Sequence, residues 1–89
     1  MARYKVLCKG NVLREYEAIA TESDRRRVLW AIGGLTDEPR PPEARQLPEH
    51  EDCLRISIEH YRVIYEIDDN HRQVTVFRIA PHRRQNPAG

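Results

Sequence analysis

No run of this chain is apolar for the ~20 residues a membrane-spanning helix needs, and no basic-then-apolar leader opens it. Cytoplasmic residence is the resulting expectation. Cysteine is scarce too: Cys8 and Cys53 lie far apart without a C-x-x-C step, so no disulfide framework is encoded. Both fall on strand-like stretches and read as reduced, half-buried thiols. The four histidines, His50, His60, His71 and His82, match no metal-ligand spacing, so neither a metal nor another cofactor is expected. A Gly-rich phosphate loop, a nucleophile elbow and a spaced Cys–His pair are also missing. Neither sign of charge prevails: 15 Lys and Arg against 14 Asp and Glu leave +1, which by itself selects no partner.

What is present is a charge-rich chain of 89 residues, 39% hydrophobic and 33% charged, enough for one domain over residues 1–89 with a thin core. The charge is locally segregated. Acid gathers in "EHED" and "EIDDN", base in "DRRRV" and in the "HRR" that follows Pro81. A neutral protein sorted in this way can still offer one face to phosphate.

"RYKVLC" alternates as a first strand, with Tyr4, Val6 and Cys8 on one side, and Gly10 and Asn11 end it. From Val12 the apolar residues recur every three to four positions through Tyr16 to Ile19 or Ala20, the stripe of an amphipathic helix. In "TESD", Thr21 and Asp24 have the spacing of a capping box, with Ser23 as an alternative N-cap. A second helix then carries Val28, Leu29, Ile32 and Leu35 and ends near Gly33 and Gly34. Trp30 falls on this helix and reads as a core or partner-contact residue. The proline-rich "TDEPRPPEARQLPEHED" is a loop or short extended connection and the best candidate for a mobile segment. "CLRISIE", "YRVIYEI" and "RQVTVFRIA" follow as three strands, the last two joined by the turn "DDNH". The order βααβββ predicts an α+β fold, a helical hairpin covering one face of a small antiparallel sheet and leaving the other open.

Alternation places Leu54, Ile56 and Ile58 on one face of their strand, and Arg55, Ser57 and Glu59 on the other. Arg62 belongs to the open face of the next strand, and Arg83 and Arg84 would lie just past the end of the last one. Arginines converging on one face repel each other unless an anion sits among them, and their planar forks suit a phosphodiester. The plainer reading is of scattered surface arginines paired with Glu59, Glu66 and Asp68. His82, beside Arg83 and Arg84, would have its pKa pushed down from ~6.5 by those like charges, into the range for proton transfer near neutral pH. RNA suits such a group, because its 2′-hydroxyl attacks the adjacent phosphate once deprotonated.

The stretch "LPEHEDCLRISIEHYRVIYEIDDNHRQVTVFRIAPHRR" resembles the C-terminal half of the RelE/ParE superfamily of type II toxin–antitoxin toxins, above all in "YRVIYEI" and the terminal "HRR". The helical hairpin and the chain length agree, and the likeness is closer to the RelE type. The resemblance implies a ribosome-dependent mRNA endonuclease that cuts mRNA in the ribosomal A site and stops translation. It implies Arg62 on the scissile phosphate, with Arg55, Arg84 and His82 completing a catalytic set. Arg55, Ser57, Arg78 and Arg83 would bind RNA. The partners implied are a cognate antitoxin protein, in a toxin–antitoxin hetero-oligomer, and the ribosome with its mRNA, but no membrane. Pro87 stands where members often carry a tyrosine, and Glu59 and His60 where a glycine usually precedes the Tyr–Arg step. Two alternatives follow: a ParE-like inhibitor of DNA gyrase, or a non-catalytic member acting through antitoxin binding.

Overall fold

The computed structural model describes residues 3–81. Its elements are β1 (Lys5–Cys8), α1 (Gly10–Glu17), α2 (Glu22–Gly34), β2 (Arg45–Leu47), β3 (His50–Ile58), β4 (Tyr61–Asp68) and β5 (Gln73–Pro81). They form the expected α+β arrangement, two helices on a sheet. The sheet has five strands in the order β1-β5-β4-β3-β2. It is mixed rather than wholly antiparallel, because β1 runs parallel to β5, with Lys5 opposite Gln73 and Cys8 opposite Val76. The fifth strand, β2, comes out of the proline-rich loop and pairs antiparallel with β3.

Alternation in β3 to β5 builds the core. Ile56, Val63, Tyr65, Ile67, Val74, Val76 and Ile79 point to one side, where Val12, Ile19, Val28, Ile32 and Leu35 meet them from the helical layer. Full burial of each aliphatic side chain stabilises the fold by about 1.5–3 kcal/mol. Trp30 takes no part: it is 83% exposed, with Leu13 and Leu29 also largely in solvent. Its place is set by helical spacing, since Val28, Ile32 and Leu35 form the inward stripe and Trp30 lies on the opposite side of α2. Cys53 is half-buried as expected, whereas Cys8 is exposed.

Thr21 is the N-cap of α2, its Oγ1 accepting from the Asp24 N–H at 3.0 Å. Helix α1 begins earlier than the periodicity suggests, at Gly10, because Asn11 is put to a different use from a turn. Its Nδ2 donates to the Phe77 carbonyl at 2.8 Å and to Glu15 Oε2 at 3.1 Å, and Glu15 Oε1 accepts from the Ile79 N–H at 2.8 Å. Strand β1 pairs with β5 only as far as Val76, so the edge beyond would carry unpaired backbone groups. Two side chains one helical turn apart cover it. A β-bulge at Phe77, between the Tyr65–Val76 and Ile64–Arg78 pairs, kinks β5 at that point, and Lys9 lies over the Phe77 ring at 5.5 Å.

The segment expected to be mobile is fastened at two points. Tyr65 Oη donates to the Pro39 carbonyl at 2.8 Å inside the core. Arg40 grips Asp69 in two-pronged fashion, at 3.1 and 2.8 Å, and Asp69 also accepts from Tyr4 Oη at 2.5 Å. These anchors bring the loop back along the sheet, and Arg45 enters β2 opposite Arg55.

Candidate functional site

Two helices cover one face of the sheet, and the other face is open. Strand register decides which side chains meet there. Ser57 lies directly opposite Arg62, which lies opposite Ala80; one row along, Arg55 lies opposite Ile64, which lies opposite Arg78. Arg55 and Arg62 are thus diagonal neighbours, a relation that brings Cα atoms to within about 7–8 Å. Arg55 and Arg62 are half-buried, while Ser57 and Arg78 are exposed. Arg55, Ser57, Arg62 and Arg78 therefore share the open face. His82, Arg83 and Arg84 lie outside the described residues, as does Pro87.

The plainer expectation, surface arginines paired with Glu59, Glu66 and Asp68, is met at Glu59 by an arginine of α2. Glu59 pairs with Arg27 of α2 at 3.0 Å, and Asp68 with His71 at 2.8 Å. Arg78 does have a carboxylate, Glu15 Oε2 at 3.8 Å, on the helical side of the edge. Arg55 meets no acid within 4 Å among the described residues. One row further down, Cys53, Glu66 and Thr75 face one another across β3, β4 and β5. Burial, then Glu66 and Asp52, push the Cys53 thiol above its usual range, so it stays protonated near neutral pH and is a poor nucleophile. Among the described residues no cluster of His, Cys, Asp and Glu could hold a metal ion, and no helix is long and apolar enough to cross a membrane.

Sequence reasoning missed a basic residue of β2 on this face. Arg45 lies opposite Arg55 across the β2–β3 ladder, and so shares the open face. No period-two signal could reveal it, because β2 is three residues long and sits among prolines.

Residues 9–86 match the family described as the ParE toxin of type II toxin–antitoxin systems. Among solved structures the chain is similar to the archaeal RelE–RelB complex from Pyrococcus horikoshii, with 24% identity, a TM-score of 0.82, and coverage of 96% of this chain and 100% of that one. It is similar to the isolated Escherichia coli RelE toxin, with 20% identity, a TM-score of 0.78, and coverage of 93% and 88%. It is also similar to the toxin–antitoxin complex RelBE2 from Mycobacterium tuberculosis, at 26% identity, a TM-score of 0.74, and 93% and 94% coverage. No curated protein matches significantly. The sheet order, the two covering helices and the family match over most of the chain agree: the protein belongs to the ParE toxin family of the RelE/ParE superfamily, toxins of type II toxin–antitoxin systems.

Proposed function

We propose that residues 1–89 act as one toxin domain in the cytoplasm, a ribosome-dependent endonuclease that cuts mRNA in the A site and is neutralised by a cognate antitoxin. The observation that carries this reading is the diagonal pair Arg55 and Arg62 on the open face, with Ser57 opposite Arg62 and Arg78 one row away. Such a surface binds a phosphodiester through two-toothed hydrogen bonds. In the reaction the RNA 2′-oxygen attacks the adjacent phosphorus, its proton passes to a base, and the bond to the 5′-oxygen breaks as that oxygen gains a proton. Arg62 offsets the charge that accumulates on the phosphorane oxygens. His82 moves the proton, and Arg84 adds a second cation at the phosphate. The antitoxin reading draws support from the fold: similar folds occur in the RelE–RelB complex from Pyrococcus horikoshii and in RelBE2 from Mycobacterium tuberculosis.

Purified protein is added to programmed ribosomes carrying a defined mRNA, and new 5′ ends are mapped. Cleavage confined to the A site is expected, falling roughly 10²–10³-fold for Arg62→Ala, the scale of losing one charge-stabilising donor. The family match favours a second reading, inhibition of DNA gyrase. Folded protein that leaves the mRNA intact but blocks gyrase supercoiling would replace the first reading with the second.

A further inference from the structure

Four of the described arginines have a carboxylate at hand. Arg26 has Glu22, Arg27 has Glu59, Arg40 has Asp69 and Arg78 has Glu15. Arg45 and Arg55 differ from these four. They are direct cross-strand neighbours on the open face, and among the described residues neither meets an acid within 4 Å. Like charges placed directly opposite each other destabilise a ladder, so the pair costs the free protein stability. Arg45 is tied to the loop that precedes β2. Its Nη1 is held by the Pro42 and Ala44 carbonyls, at 2.9 and 3.0 Å, which fixes the guanidinium while leaving Nε and Nη2 as donors.

We infer that Arg45 and Arg55 form a two-guanidinium clamp for a backbone phosphate of single-stranded RNA, next to the phosphate held at Arg62. The clamp deepens the proposed endonuclease reading and rests on it for the identity of the RNA. Two forks on adjacent strands, that of Arg45 held by the loop, match a group with two anionic oxygens, and the anion removes the repulsion between them. Arg62 lies one strand over and about two residue rises, roughly 6.8 Å, along the sheet. An RNA backbone crossing from β4 towards β2 would therefore pass Arg62 first and the clamp second. On this account β2 exists to carry Arg45 to the sheet, and the anchors at Pro39 and Arg40 hold β2 in place.

The test reads RNA binding rather than cleavage, so it stands or falls separately from the endonuclease reading. Fluorescence anisotropy with a labelled single-stranded RNA is recorded over a series of KCl concentrations for the native protein, Arg45→Ala and Arg45→Lys. Arg45→Ala should weaken binding about tenfold at low salt, and lower the slope of log affinity against log salt by roughly 0.7–1, the signature of one lost phosphate contact. Arg45→Lys should keep the slope while recovering only part of the affinity, because an ammonium supplies charge without the fork. Relief of repulsion should leave the thermal midpoint of Arg45→Ala unchanged or raised. Unchanged affinity and slope in the folded Arg45→Ala variant would overturn the clamp, and so would failure of the native protein to bind RNA. If the clamp behaves as expected but programmed ribosomes are not cut, the endonuclease reading fails and RNA binding remains.

Discussion

A phenol enclosed in an apolar core must find an acceptor, and Tyr65 finds one in the carbonyl of Pro39. The bond has two effects at once: it satisfies a buried hydroxyl and it pins the loop that leads to β2. Tyr65→Phe would keep the ring and orphan the carbonyl, which costs about 1–3 kcal/mol. Urea denaturation should show that loss, and hydrogen exchange should show faster opening across residues 36–44. Burial also pushes the Tyr65 pKa up to about 12 from 10.0. The folded state thus keeps its proton where the unfolded state gives it up. The stabilisation is complete below pH ~10 and fades as pH rises towards 12. The phenylalanine variant should lose less stability than the native protein across that window. Equal losses would mean that Tyr65 does not govern it.

At the scale of elements, the β3–β4 hairpin is closed by Ile58 opposite Tyr61, leaving Glu59 and His60 as its two-residue turn. Glu59 has φ 53°, the left-handed region in which a side chain costs roughly 1–2 kcal/mol and glycine nothing. Its carboxylate recovers part of that through Arg27, an exposed pair worth at most ~1 kcal/mol. Glu59→Gly should therefore raise the thermal midpoint by a few degrees, at ~4–8 °C per kcal/mol for a domain of this size. Arg27→Ala, which removes the bridge alone, should lower it slightly. A midpoint for Glu59→Gly below that of Arg27→Ala would show that the turn is not strained.

The same hairpin marks what could be read in advance. Strict alternation in "CLRISIE" and "YRVIYEI" gave the facing of Arg55, Ser57 and Arg62, because a period of two leaves no freedom once one face is buried. Helical spacing from Val28, Ile32 and Leu35 would equally have put Trp30 in solvent. Other features carried no local signal. The parallel pairing of β1 with β5 joins residues at opposite ends of the chain with no turn between them. The bulge at Phe77 depends on what β4 offers opposite it. Strand β2 forms only because distant anchors deliver it, so Arg45 stayed hidden within a proline-rich loop.

Across the whole molecule, three segments far apart in sequence converge on Asp69. Tyr4 comes from the chain start, Arg40 from the loop before β2, and Asp69 from the β4–β5 turn. Hydrogen bonds from Arg40, then from Tyr4, hold the Asp69 carboxyl at about 2, below its ordinary 3.8. A depressed carboxylate pKa means that the unfolded state takes up protons first as pH falls. Its contribution is complete above pH ~4 and is lost progressively as pH drops to 2. The site is exposed, so screening keeps the contribution modest. Asp69→Asn should lower the urea midpoint at pH 7 and flatten the decline between pH 4 and 2 relative to the native protein. The consequence reaches the candidate site, because Arg40 is one of the two anchors that hold the path to Arg45. If the loop serves the clamp, Asp69→Asn at pH 7 should also weaken single-stranded RNA binding, although residue 69 is itself in the β4–β5 turn. Its salt slope should stay closer to native than that of Arg45→Ala, since no phosphate contact has been deleted. A variant destabilised as expected, yet binding RNA with native affinity, would show that β2 keeps its place without this anchor.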